Sequence, residues 1–109
     1  MTAVVEAIAE EIDDRAESLE EIERSTDGRS TTYSRGGRMF AAVDDGGFEF
    51  LVGGVIAAAA LRTPDVEIGP RGSDWVRFSP SGLDQPALDR ALAWFEAAWR
   101  RAASPDTAQ

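Results

Sequence analysis

Between Tyr33 and Phe78, three short apolar runs, at 38–44, 48–52 and 75–78, are cut apart by turns rich in glycine and by a proline-containing loop. Runs of this length, bounded by Gly, Pro and Asp, predict strands of an antiparallel sheet rather than helices. Asp44-Asp45-Gly46-Gly47 is a hairpin signal, because Asp-Gly and Gly-Gly steps tolerate positive φ. Phe48, Phe50 and Val52 alternate with Glu49 and Leu51, and Trp75-Val76-Arg77-Phe78 continues the pattern. Thr31, Thr32 and Tyr33 suit a strand over 30–34, expected at the sheet edge, with Arg35-Gly36-Gly37 as a tight reversal into the next one.

Helical signals flank the sheet. Val5, Ile8, Ile12, Ala16, Leu19 and Ile22 recur at steps of three and four, which predicts an amphipathic helix over residues 3–24, capped by Thr2 and ended by Ser25-Thr26-Asp27-Gly28. Leu88, Ala91, Leu92, Phe95 and Trp99 form a stripe on a final helix that starts near Asp84, Gln85 and Pro86. The alanines of 55–61 favour a short helix, stopped by Thr63-Pro64-Asp65, and 66–68 reads as extended. The expected class is α+β: an antiparallel sheet of about four or five strands, flanked by a long N-terminal and a C-terminal helix. Residues 1–103 form one expected domain, with 104–109 a polar tail.

Composition narrows the chemistry. The 109 residues contain no cysteine and no histidine, so a disulfide framework, a thiolate nucleophile, a Ser-His-Asp triad and the commonest transition-metal ligand are all excluded. An enzyme built from this chain would rely on carboxylates, Arg, Tyr or Ser. Asp44 with Asp45, and Asp65 with Glu67, are candidate carboxylate pairs for acid–base work; turn and strand-flank chemistry explains both. No enzymatic activity and no cofactor are therefore expected. Met1-Thr2-Ala3-Val4-Val5-Glu6 lacks the basic and apolar regions of a secretory signal, and the apolar run at 55–61 is too short for a bilayer, so a cytoplasmic protein without membrane contact is expected.

The net charge of -9 is unevenly placed. Residues 1–24 hold nine acids against Arg15 and Arg24, whereas 27–79 hold seven acids against six arginines. Such a field disfavours nonspecific contact with phosphates of nucleic acid. Within it, Arg35-Gly36-Gly37-Arg38, joined by Arg71, Arg77 and Trp75, is the candidate patch for an anion or partner, with the arginines supplying charge-assisted bonds and Trp75 a stacking surface. The plainer alternative is a hairpin turn whose arginines are solvated or paired with Asp44, Asp45 and Asp74. Glu10, Asp13, Asp14 and Glu17, three and four apart on the first helix, are the carboxylates that would hold a hard cation if any do; the alternative is a solvated face. The aromatic rows of Trp75, Trp94, Trp99 and the phenylalanines are read as core.

The run Tyr33-Ser34-Arg35-Gly36-Gly37-Arg38-Met39-Phe40-Ala41, then Pro64-Asp65, Asp74-Trp75-Val76-Arg77 and Leu83-Asp84 before an aromatic helix, resembles the MmcQ/YjbR-like family over residues 30–103. More distantly, Arg38-Met39-Phe40-Ala41 is similar to a strand of the N-terminal domain of TfoX-type competence regulators. The resemblance implies a fold related to the CyaY/frataxin arrangement of two helices on an antiparallel sheet. It also implies a small binding or adaptor module, with DNA binding through the mid-chain arginines or loose cation binding by the acidic helix as alternatives. The partner is unspecified: a protein, or a second copy meeting through the edge of the first strand or through the final helix.

Overall fold

The computed structural model describes residues 3–103; Thr2, the expected helix cap, and the tail at 104–109 lie outside them. The chain opens with α1 (Ala3–Glu17), whose buried residues are Val5, Ile8, Ile12 and Ala16 at the predicted spacing. This helix is seven residues shorter than the periodicity suggested, since it ends at Glu17 rather than Arg24. Ser18 turns its hydroxyl back on the Arg15 carbonyl at 2.8 Å, and Glu21 sits at a φ of 61°, so the backbone leaves the helical path there. Leu19 and Ile22 still pack on the core, from the connecting segment.

The residues expected to close that helix instead form strand β1 (Glu23–Asp27). There follow β2 (Ser30–Arg35), β3 (Arg38–Asp44), β4 (Gly47–Leu51), a short α2 (Gly54–Ala60), β5 (Val66–Ile68), β6 (Trp75–Phe78) and α3 (Gln85–Ala102). The strands make one six-stranded antiparallel sheet in the order β1-β2-β3-β4-β6-β5. The fold is α+β as expected, with one strand more than the upper figure. The strand expected at the edge, β2, lies second, because β1 covers it.

All three helices contribute to one core on one side of the sheet. Tyr33 and Phe40 meet Phe95 of α3 at ring distances of 5.1 and 5.4 Å, and Phe78 meets Trp94 edge-on at 5.3 Å. Ala57 and Ala60 of α2 and the stripe of α1 join the same cluster. The buried line of α3 is Ala87, Ala91, Phe95, Ala98 and Ala102, so the larger Leu88, Leu92, Trp94 and Trp99 flank the contact rather than centre it. Small residues let the helix approach the sheet while one phenylalanine fills the space between. Asp84 caps α3 by accepting the Ala87 N–H at 2.9 Å, with proline in the first turn. Arg15 and Glu96 tie α1 to α3 by an ion pair.

A bulge decides how β3 meets this core. Tyr33 pairs with Ala41, but Ser34 pairs with Met39, leaving Phe40 as the extra residue. Strict alternation would send Phe40 to the opposite face from Ala41; the bulge turns both inward, and Phe40 is fully buried.

Candidate interaction surfaces

The sheet face away from the helices carries Glu49, Arg77 and Glu67 in one cross-strand row, with Leu51 beside Trp75 in the next. Here Arg71, Arg77 and Trp75 come together, but their charges are already matched. Arg71 Nε donates to Glu49 at 2.7 Å, and Arg77 bridges Glu49 at 3.3 Å and Asp44 at 2.8 Å. Lying under these two guanidiniums, Glu49 is only 6% exposed. Asp44 also accepts the Gly46 and Gly47 N–H groups, and the Arg77 hydrogen bond is the main reason its carboxyl is held below the usual range. The same contact raises Arg77 above its ordinary value. Arg71 stands over Trp75, 5.4 Å from the ring centre, which uses the stacking surface internally.

Arg35 and Arg38 belong elsewhere. Arg35 reaches the helix side, where it stacks on Trp99 at 3.9 Å, donates to the Trp99 carbonyl and pairs with Glu21 at 2.9 Å. Arg38 is exposed beside Gly36 and Gly37, which take the positive φ that this two-residue turn demands. Arg29 pairs with Asp45 at 2.8 Å. The mid-chain arginines thus scatter over both faces, and the four that pair use carboxylates of the chain.

The acidic helix does not gather a cation site either. Among the described residues no three or more Asp or Glu side chains converge as metal ligands. Asp13 is occupied: it accepts the Tyr33 hydroxyl at 2.7 Å and pairs with Arg24 at 2.9 Å. Asp13 and Arg24 line two clefts of about 400 and 430 Å³: the first runs from α1 to Thr31, Tyr33 and Val43 of the sheet, and the second lies between α1 and the connecting residues Leu19, Glu21 and Ile22. Burial foremost, then Asp13, pushes the Tyr33 phenol far above its ordinary value. Glu10 borders the first cleft, Glu17 the second and Asp13 both, so three of the four carboxylates singled out from the sequence reach them.

The surface that composition leaves unexplained is α2. Its residues, Gly-Val-Ile-Ala-Ala-Ala-Ala, include no polar side chain. A helix apolar all round belongs in an interior, yet only Ala57 and Ala60 are buried, and Val55 is 86% exposed. Ile56, Leu61 and, on the neighbouring β5, Ile68 are exposed as well. Four of the five exposed large hydrophobic residues among those described therefore lie on α2 or beside it; Leu83 is the fifth.

No family model, curated protein or solved structure matches the chain. The α2 surface escapes a sequence search for chemistry because it holds no chemistry; its signal is a short helix without one polar residue, which is indistinguishable from a buried helix until its neighbours are known. No helix among the described residues is long and apolar enough to cross a membrane.

Proposed function

We propose that the protein is a non-enzymatic adaptor module that works by protein–protein contact, with α2 and the adjoining β5 as its contact surface. The observation that supports this is the uncharged, outward-facing side of α2 in a chain with a net charge of -9. Apolar surface clustered in this way and rimmed by polar residues marks protein contact sites. The other candidate surfaces offer less. The arginines of the open sheet face are satisfied by Glu49 and Asp44, so an incoming anion would have to displace carboxylates already in place.

The test is a photo-reactive side chain placed at Ala58, on the exposed side of α2, and separately at exposed Ser25 on β1, each in the full chain within its own host cell. The expected result is a discrete adduct of defined mass from position 58 and none from position 25. Absence of an adduct at 58, or equal adducts from both positions, would overturn the proposal.

A further inference from the structure

We infer that the partner covering α2 is a second copy of this chain, packed antiparallel about a two-fold axis that crosses the helix near Ala58 and Ala59. This rests on the reading of α2 as a contact surface and names its occupant. In a symmetric dimer each patch meets its own image, so a patch carrying one sign of charge repels itself. α1 presents Glu6, Glu10, Glu11, Asp13, Asp14 and Glu17 against Arg15 alone, and two copies of it would repel. α2 carries no charge, so it is a face on which two copies of so acidic a chain can meet.

The two ends of α2 set the direction. Arg62 follows the capping residue Leu61; it is exposed, and no ion pair engages it among the described residues. Asp74 stands at the other end: a Cβ on Gly54 would lie 3.3 Å from its Oδ1. Its carboxylate is half-exposed and, among the described residues, its one ion pair is a 3.5 Å contact to Arg101. Antiparallel packing brings Arg62 of each copy toward Asp74 of the other, whereas parallel packing would set like beside like. Ala58 and Ala59 let the axes approach closely, and Val55, Ile56 and Leu61 fill the flanks. Joining the β5 edges is less favourable, because a two-fold axis through this three-residue strand sets Glu67 against the partner's Glu67.

Sedimentation velocity on the purified full chain, from micromolar to several hundred micromolar, is expected to show a concentration-dependent rise to twice the monomer mass. Ala59→Glu is expected to remain monomeric, with an unchanged circular dichroism spectrum. Arg62→Asp and Asp74→Arg are each expected to weaken self-association by about tenfold, since each converts two attractive exposed contacts into repulsive ones. Mixed together they regain it, because the mixed dimer restores an opposite-charge pair at both ends. A monomeric wild type at every concentration overturns the inference, as does a mixture that associates no better than either variant alone. A monomeric wild type together with a discrete photo-adduct from position 58 removes the second copy and leaves α2 as a contact surface for another protein; loss of both removes the contact surface too.

Discussion

Tyr33 is the single tyrosine of the chain, 2% exposed, with its hydroxyl on Asp13. Its folded-state pKa lies above the ordinary value, so the stability linked to it is fully present below about pH 10 and is lost as pH climbs through the folded value. Phenolate absorbance, which reports this one residue, is therefore expected to stay silent beyond pH 10 and to rise only with alkaline unfolding. In Tyr33→Phe that alkaline decline should flatten, at a loss of about 1 kcal/mol near neutrality for the missing hydrogen bond. Asp44 behaves in the opposite sense. Its folded pKa is depressed, chiefly by Arg77, so its contribution is present above about pH 4 and disappears as pH falls through the folded value. Urea denaturation across that acid range should show a shallower loss of stability in Asp44→Asn than in wild type. The pairing of Arg77 with Asp44 was among the sequence alternatives. The burial of Glu49 beneath Arg71 and Arg77 was not, because it joins a strand to a loop 22 residues away.

Most elements can be read locally. The β3–β4 hairpin follows from Asp44 to Gly47, and the start of α3 from Asp84 and proline, because each rests on hydrogen bonds spanning two or three residues. Gly47 does more than turn the chain. At a φ of 156°, it brings β4 so close to β6 that a Cβ would collide with the Phe78 carbonyl oxygen and crowd Ser79. Gly47→Ala is therefore expected to destabilise the fold by about 2 kcal/mol or more in denaturant titration, whereas Gly36→Ala, with open space around its Cβ position, should lose only the cost of its positive φ, about 1 kcal/mol. Where the elements departed from expectation, a nonlocal partner had intervened. Residues 23 and 24 were expected to close the first helix and 25–27 to turn the chain, yet all five pair residue for residue with β2. Phe40 breaks strict alternation because Phe95 occupies the space that the bulge opens toward it.

Over the whole molecule, charge is concentrated on α1, while the open sheet face pairs Glu49 and Asp44 with Arg71 and Arg77. Self-repulsion among the α1 acids should weaken as salt screens it, the Debye length falling to about 10 Å at 0.1 M. Melting temperature is accordingly expected to rise between low and moderate ionic strength. A fall would mean that the exposed ion pairs outweigh the repulsion. The same distribution leaves α2 as an uncharged face on an acidic body, and that contrast supports association there rather than at the polar β1 edge or along α3.

The sequence alone determined the alternation of strands and turns, the two long amphipathic helices and the exclusion of thiol and imidazole chemistry, since each depends on residue identity or on spacing along the chain. Tertiary structure decided which strand closes the edge, which way Phe40 turns, which carboxylate each paired arginine meets and that α2 remains uncovered. These outcomes depend on what lies across the fold, because burial and charge pairing belong to neighbours in space, and neighbours in space are not written into any single window of residues.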